Sequence, residues 1–389
     1  MPSAVIIAEY GSLNGGEKSL LTILPHLQQA GWNFRAVVPA PSPFAAALRN
    51  SSVDIEPFEF IARGKRKPLD ILRRDLSNLL GARQPDLVHC NSLSAGRICG
   101  PVCQQLQLPS LGYLRDIIKL NRTVMGDLNC LDQLVAVSRA TADFHQAQGL
   151  EDAKITTIYN GVDSEVFSPT ESASDIRCEL GISPPSPLVL FVGQIGLRKG
   201  LDTWLAAATT IIETIPTAHF LLVGSRHSQK QESVDYEQVL VRESNNNTLQ
   251  GHVHWLGIRT DIPDLMKQAD VLLHCARQEP LGRVLLEALA SGLPIVATRV
   301  GGTVEILCDP ILSSCLIEKD HPEQAAEAVL RILLDNGLQA QIKRTERRVA
   351  LEKFSVSACA KNLLGIYQNL SAGRQPANPE EPPVDKTMK

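Results

Sequence analysis

Short apolar runs alternate with longer amphipathic segments along most of the chain. Six runs occupy the first part and five the second: AVIIAEY, FRAVVPA, DLVHCNS, LPSLGYL, QLVAVS and KITTIY, then PLVLFVG, HFLLVG, HVHWLG, DVLLHCA and LPIVAT. Strands of this length that are apolar on both faces and separated by helices are typical of parallel sheets covered on both sides. The pattern therefore predicts an α/β protein built from two doubly wound units.

A polar segment separates the two units. IYNGVDSEVFSPTESASD contains Asn-Gly and a cluster of Ser, Thr and Pro, which mark turns and connections. We predict a first domain over residues 1–168 and a second over 169–355. Residues 371–389 combine few apolar side chains with many prolines and charges, so we predict a disordered tail there.

Composition narrows the class of protein. The 389 residues are 44% hydrophobic and 21% charged, with a net charge of −4, which disfavours nucleic-acid binding through bulk charge. No run approaches the roughly 18 apolar residues of a membrane-spanning helix, and MPSAVIIAEYGS lacks the basic start of a secretory signal. Nine scattered cysteines show no zinc-site spacing. We expect a cytoplasmic protein with reduced thiols and no metal.

One stretch, residues 63–83, is rich in basic residues. It contains seven basic residues and two acidic ones, and leucines are interleaved with them at helical spacing. A solvated amphipathic helix explains this pattern. The alternative is a peripheral contact with anionic lipid, which would place the protein at the inner face of a membrane.

Two loops that follow predicted strands carry features of an anion site. Ligands of doubly wound sheets bind beyond the carboxyl ends of the strands. The first loop contains Gly15 and Gly16 at the start of a helix, where free amides attract anions. The other places Arg198 and Lys199 beside Gly200, which suits a diphosphate. Ordinary turns and surface charges remain the alternatives.

The stretch RQEPLGRVLLEALASG holds two glutamates, Glu279 and Glu287, separated by seven residues. A carboxylate can accept two hydrogen bonds at once, which suits the vicinal hydroxyls of a ribose or a hexose. Two such groups around one loop could hold two sugars of the same ligand. The simpler alternative is that Glu279 favours a helix N-terminus and Glu287 is solvated.

These segments occur in a familiar order. The chain resembles the retaining glycosyltransferases of family 4 over about residues 5–368, on the motifs NGGEKSLL, VSRATADF, IYNGVDSEVFSP, FVGQIGLRKGLD, FLLVG and the block from VHWLG to TVEIL. The resemblance implies the GT-B fold, two Rossmann-like domains facing a cleft. It also implies that the final helix, residues 356–370, crosses back to the first domain.

The resemblance assigns roles to particular residues. Glu287 would accept the ribose hydroxyls of a nucleotide-sugar, and Lys199 would bind its diphosphate. The implied catalytic set is Lys199, Arg198 and Glu279; the implied donor-binding set is Gly15, Gly16, Lys199, Glu279, Leu281, Gly282, Arg283, Val284 and Glu287.

The chain departs from the family pattern at several positions. Gln194 stands where an arginine is usual, and His89-Cys90-Asn91 replaces His-x-His. A His-Asp pair is also common in the family, and Arg115-Asp116 stands in its place here. The candidate acceptor residues are the ones at these positions: His89, Asn91, Arg115 and Asp116. No Asp-x-Asp occurs, which favours a metal-independent enzyme without a cofactor.

The implied function is that of a hexosyltransferase in polysaccharide or glycolipid biosynthesis. It would move a sugar from a UDP- or GDP-linked donor to a glycan or lipid-linked acceptor and retain the anomeric configuration. The alternatives are a non-catalytic GT-B protein that binds a nucleotide-sugar or glycan, and a nucleotide-sugar epimerase of the same fold. Lys199 argues against pure glycan binding, which needs no diphosphate contact.

Overall fold

The computed structural model describes residues 1–62, 64–172 and 174–373. All eleven apolar runs form strands. The strands are β1 Ser3–Ile7, β2 Asn33–Val38, β3 Asp54–Pro57, β4 Ile61–Ala62, β5 Lys65–Arg66, β6 Leu87–Cys90, β7 Ser110–Leu114, β8 Gln133–Ala136, β9 Ile155–Thr157, β10 Leu188–Val192, β11 His219–Val223, β12 Val253–Gly257, β13 Val271–His274, β14 Ile295–Thr298 and β15 Leu316–Ile317.

The strands form two parallel sheets. The first has seven strands in the order β3-β2-β1-β6-β7-β8-β9, and the second has six in the order β12-β11-β10-β13-β14-β15. The pattern did not predict β3, β15 or the antiparallel pair β4-β5. β3 reads DIEP, and β15 has only two residues, so neither produces an apolar run.

Helices connect and cover the strands of both sheets. They are α1 Gly15–Gln29, α2 Pro43–Asn50, α3 Leu69–Arg83, α4 Leu93–Leu106, α5 Arg122–Asn129, α6 Arg139–Gln146, α7 Ile176–Leu180, α8 Leu201–Thr214, α9 Gln231–Ser244, α10 Ile262–Gln268, α11 Arg283–Ser291, α12 Thr303–Ile306, α13 Pro310–Ser313, α14 Pro322–Leu334, α15 Asn336–Lys353 and α16 Val356–Ala372. The alternation of strand and helix thus gives two α/β units, as the pattern predicts.

The last helix, α16, packs on the first sheet. The hydroxyl of Tyr367 lies 2.6 Å from Nδ1 of His89 on β6, and its ring lies 4.8 Å from the ring of Trp32. The helix continues to Ala372, two residues into the segment predicted to be disordered. Residues 374–389 lie outside the described part of the chain.

Helix α3 contains most of the basic stretch, and its apolar face packs against the core of the first domain. Leu72, Leu76 and Leu80 are fully buried. Arg73 forms an ion pair of 2.7 Å with Asp127. Because these leucines pack inside the domain, a contact with anionic lipid would have to use the basic side chains alone, and it stays a prediction. Arg63 lies outside the described residues. Within the described ranges, no helix has both the length and the apolar content to span a membrane.

Helix α15 carries one fully buried carboxyl group, Glu346, whose ionisation should reduce the stability of the folded protein. Glu346 is inaccessible to solvent, and its Oε1 accepts a hydrogen bond of 3.0 Å from the amide of Ile295. Burial raises the pKa of Glu346 well above its ordinary value. An acid with a raised folded-state pKa costs stability as the pH rises above its unfolded pKa of about 4.3.

We expect Glu346→Gln to unfold at a higher temperature than the wild-type protein at pH 7, by about 2–4 °C for each kcal/mol gained. The difference should vanish near pH 4, where the wild-type carboxyl is protonated in both states. Differential scanning calorimetry at the two pH values measures it. Glu352→Gln, an exposed change on the same helix, is the control. A lower melting temperature at pH 7 would contradict the argument.

Candidate functional site

Two of the predicted residues meet at the carboxyl edge of the second sheet. Lys199 lies in the short 3-10 helix Leu197–Lys199 after β10, and Glu279 lies in the loop after β13. These strands are neighbours, so their loops share one edge. Nζ of Lys199 lies 2.5 Å from Oε2 of Glu279.

A glycine allows this close approach. Gly200 has φ +63°, and a Cβ there would lie 2.0 Å from the carbonyl oxygen of Cys275. Any other residue would push the loop after β10 away from the end of β13. Gly200 therefore fixes where Lys199 stands relative to Glu279.

Glu279 is buried among positive groups. It is 6% exposed, and its Oε2 also lies 2.9 Å from Nε2 of His274. Nη1 of Arg198 is 3.9 Å from Oε1. Burial opposes ionisation, but the ammonium of Lys199 and the hydrogen bond from His274 outweigh it and hold the pKa of Glu279 below its ordinary value. Burial and the charge of Lys199 lower the pKa of His274. A neutral His274 thus donates to an ionised Glu279.

The second glutamate lies on α11, whose N-terminus faces the first domain. Gly282, with φ +99°, precedes the helix and provides no side-chain cap. The first amides of a helix have no intrahelical acceptor, so this end attracts anions. Nε of Arg283 lies 2.7 Å from Oε1 of Glu287, and its Nη1 donates across to Oγ of Ser19 at 3.2 Å. Leu281 is buried, and Val284 is partly buried.

The first domain contributes the start of α1. Gly15 is exposed and Gly16 is partly exposed at the first turn of that helix. A Cβ on Gly16 would lie 3.0 Å from Cδ of Arg115, so this glycine gives room to the arginine. Because Ser19 is on the same helix, the glycine turn and the start of α11 face each other.

Arg115 organises the acceptor candidates rather than facing outward. Its guanidinium donates to the carbonyl and side-chain oxygens of Asn91, at 3.1 and 3.0 Å, and to Oδ1 of Asn160 at 3.2 Å. It lies 4.0 Å from the centroid of the Tyr113 ring. Asn91 is 1% exposed, whereas Asp116 is exposed. Of the acceptor candidates, Asp116 is the one with an open surface.

His89 corrects one prediction about the acceptor site. It is inaccessible to solvent, its ring lies against Tyr113 with a centroid distance of 5.2 Å, and Nδ1 contacts the hydroxyl of Tyr367. Burial lowers its pKa to about 3. The side chain therefore packs between β6 and α16, where an acceptor cannot reach it.

Direct contacts between the two domains surround the cluster. The carboxylate of Glu305 accepts hydrogen bonds of 2.9 Å from the amides of Arg139 and Ala140 at the start of α6. Oγ of Ser138 donates to the carbonyl of Pro280. The loop that carries Glu279 is thus held against the first domain.

Several of these partners were missed from the sequence. His274 was visible as a polar residue at the end of a buried strand, which is a usable signal. The contacts of Ser138 and Glu305 leave no such signal, because they depend on how the domains meet. Gln194, the position of the missing arginine, is exposed.

Among the residues that the structure describes, no three His, Cys, Asp or Glu side chains are grouped to hold a metal ion. All nine cysteines are free.

Two family models match the chain. "Glycosyltransferase Family 4" matches residues 13–166 and "Glycosyl transferases group 1" matches residues 173–349. The two matches adjoin each other and cover most of the chain.

Relatives and solved structures agree with these matches. Spore coat protein SA of Bacillus subtilis is 30% identical over 61% of this chain and 66% of its own length. D-inositol 3-phosphate glycosyltransferase of Corynebacterium urealyticum is 29% identical over 65% of this chain and 59% of its own length. Each match thus spans less than two thirds of the relative. The structure of Anabaena HepE in complex with UDP-glucose aligns with a TM-score of 0.81, at 22% identity, over 95% of this chain and 99% of that one. A likeness at this identity establishes the fold.

Proposed function

The chain belongs to the family 4 glycosyltransferases and has their GT-B fold, and from this we propose that it transfers a hexose from a nucleotide-sugar to a glycan or lipid-linked acceptor, with retention of configuration and without a metal ion. The observation that carries the proposal is the placement of Lys199, which Glu279 holds at 2.5 Å beside the uncapped start of α11. A leaving diphosphate needs such a fixed cation and free amides.

In this proposal, different residues bind the diphosphate, the ribose and the transferred sugar of the donor. Lys199 and Arg198, with the amides of Gly15 and Gly16, stabilise the charge that grows on the diphosphate. Glu287 accepts the ribose hydroxyls. Glu279 keeps Lys199 in place and lies near the transferred sugar, together with the loop from Leu281 to Val284. No protein nucleophile is required when the donor phosphate assists deprotonation of the acceptor.

Binding of a UDP- or GDP-sugar supports the donor assignment more directly than turnover does. HepE was solved with UDP-glucose, which makes uridine the first base to test. A relative named for inositol 3-phosphate makes a phosphorylated acceptor the alternative to a neutral glycan.

We expect Glu287→Gln to weaken donor binding by about tenfold or more, because hydrogen bonds to a charged group contribute about 1.5–3 kcal/mol. Thermal shift with a panel of UDP-, GDP- and ADP-sugars, in EDTA, measures the loss. Glu352→Gln is the matched control, since Glu352 also pairs with an arginine four residues earlier, at 2.9 Å.

Three outcomes would count against the proposal. If no nucleotide-sugar shifts the wild-type protein, the donor assignment fails and a non-catalytic glycan-binding protein is favoured. If binding requires a divalent cation, metal independence is wrong. A product with inverted configuration, read by NMR, would contradict retention.

A further inference from the structure

Lys199 stands on a lysine turn, the short 3-10 helix Leu197–Lys199 between β10 and α8. Within this turn, the amides of Lys199 and Gly200 donate to the carbonyls of Gly196 and Leu197, at 2.8 and 3.3 Å. The side chain of Leu197 is 39% exposed, so hydrophobic burial does little to anchor the turn. Hydrogen bonds in 3-10 geometry are also poorer than those of an α-helix. The position of the lysine turn therefore depends on contacts from outside it.

Arg277, in the loop after β13, supplies two of these contacts. Its amide donates to the carbonyl of Arg198 at 2.8 Å, and its Nη1 donates to the carbonyl of Leu197 at 2.8 Å. One residue thus holds two consecutive carbonyls of the lysine turn, one through its backbone and one through its side chain. Arg198 in return donates to the carbonyl of Gln278 at 3.0 Å. The lysine turn is therefore tied to the loop that carries Glu279.

Two carboxylates fix the guanidinium group of Arg277. Its Nη2 lies 2.6 Å from Oδ2 of Asp202 at the start of α8, and its Nε lies 2.6 Å from Oδ1 of Asp320, between β15 and α14. Asp320 has φ +61°, a left-handed conformation that is uncommon for a residue with a Cβ. The other carboxylate oxygen of Asp202 accepts a hydrogen bond of 2.8 Å from the hydroxyl of Tyr236. Arg277 is thus held from three other segments of the second domain.

This arrangement needs a guanidinium and leaves it no role at a ligand. Nε, Nη1 and Nη2 of Arg277 each donate to a different protein acceptor. The planar fork of an arginine can serve three acceptors in fixed directions, whereas the ammonium of a lysine is a compact charge on a flexible stem. Any effect of Arg277 on the reaction must therefore pass through the residues that it holds.

We propose that Arg277 is a positioning residue, which holds the lysine turn so that the ammonium of Lys199 stands where the leaving diphosphate gains charge. The inference rests on the proposed function for the role of Lys199. A cation stabilises a transition state best when it is in place before the reaction, and a displacement of about 1 Å can cost about a hundredfold in rate. Lys199 directly follows the two residues whose carbonyls Arg277 holds, so a loose turn displaces it.

Arg277→Lys and Arg277→Ala test this role on the full chain. Both variants should fold, because ion pairs between partly exposed side chains contribute little to stability. We expect kcat to fall by about 10- to 100-fold, with a smaller change in the KM for the donor, since the lost alignment matters most in the transition state. Free guanidinium ion, at a concentration that does not denature the protein, should restore part of the rate of Arg277→Ala.

Hydrogen–deuterium exchange examines the lysine turn without donor or acceptor. The peptide that contains Lys199 and Gly200 should exchange faster in Arg277→Lys than in the wild-type protein, because the turn opens more often when one of its outside contacts is lost. Peptides from the strands of both sheets should exchange as in the wild type. This pattern separates a local loss of position from a general loss of stability.

Arg259→Lys is the matched control. Arg259 belongs to the same domain and also lies between two carboxylates, those of Glu179 and Asp261, at 2.7 Å each. Both partners are outside the lysine turn, so this variant should keep the wild-type kcat and the wild-type exchange near Lys199.

Three results would overturn the inference: wild-type exchange of the lysine turn in Arg277→Lys, faster exchange with the wild-type kcat, or equal losses of kcat in Arg277→Lys and Arg259→Lys. The nucleotide-sugar thermal shift is read on the same samples. Donor binding and turnover with any of these results reject this inference alone. If the wild-type protein neither binds a nucleotide-sugar nor releases nucleotide, the proposed function fails, and the exchange experiment still decides whether Arg277 holds the turn.

Discussion

Lys199→Ala is expected to lower kcat by about 100- to 1000-fold, because it removes a preorganised contact to the charge that develops on the leaving diphosphate. The side chain is only 11% exposed and lies 2.5 Å from Glu279, so it is already in place before the donor binds. The measurement is the initial rate of nucleotide release with donor and acceptor both saturating. Saturation ensures that a weaker donor affinity does not mimic a slower step.

Two variants make this result specific. Arg198→Ala should have a smaller effect, because Arg198 is 44% exposed and lies 3.9 Å from Glu279. Lys154→Ala should leave the rate unchanged, since Lys154 pairs with Glu151 at 3.3 Å outside the cluster. A Lys199→Ala protein that keeps its fold and turns over at the wild-type rate would reject the role of Lys199.

The two glutamates of the motif have different environments despite their similar sequence context. Glu279 is enclosed by Lys199 and His274, whereas Glu287 pairs with one arginine and is 13% exposed at its side chain. Glu279 thus serves first to position the lysine. Glu287 can exchange its contact with Arg283 for one with a ligand hydroxyl at a lower free-energy cost than Glu279 would incur by leaving Lys199 and His274.

The sequence predicted the parts of the fold that depend on local pattern. Each apolar run became a strand because a fully buried parallel strand must be apolar on both faces. The loop positions of Lys199 and Glu279 followed, since loops after neighbouring strands share an edge. The short strand β15 could not be predicted, because tertiary packing rather than its sequence makes it extended.

The parts that failed depend on long-range packing. His89 was an acceptor candidate because it stands where the resemblance places a His-x-His motif, but its partner Tyr367 comes from α16, 278 positions away along the chain. A cavity of about 580 Å³ beside Tyr10, at the carboxyl ends of β1, β2 and β3, was equally hidden, since three separate strand ends form it. No local pattern encodes which strand ends converge.

Contacts between the two domains hold the loop that carries Glu279 in position. Glu305 caps the start of α6 from the second domain, and Tyr159 donates to the same carboxylate at 2.8 Å. Burial and Glu305 raise the pKa of Tyr159 to about 12, so it remains a donor at neutral pH. The carbonyl of Pro280, next to Glu279, is held by Ser138. A shift of either domain would therefore move the loop that positions Lys199.

Glu279→Gln is expected to destabilise the protein by about 3–5 kcal/mol at pH 7, because it removes one partner of a buried ion pair and leaves Lys199 uncompensated. This corresponds to a fall in melting temperature of about 6–20 °C. The folded-state pKa of Glu279 lies below its ordinary value. The contribution of the carboxylate is thus complete above the unfolded pKa of about 4.3, and it is lost as the pH falls through the folded pKa.

The pH dependence separates this effect from a packing defect. The difference between wild type and Glu279→Gln should be largest at neutral pH and shrink progressively below about pH 4, because the carboxyl of the unfolded chain is protonated first and that of the folded protein only at a much lower pH. Glu17→Gln is the matched control, because Glu17 is also 6% exposed but burial raises its pKa, which reverses the sign. That variant should be as stable as wild type or more so at pH 7, and the two should converge at low pH. A loss in Glu279→Gln that is equal at about pH 2 and at pH 7 would show that shape, and not the charge on Glu279, holds the cluster together.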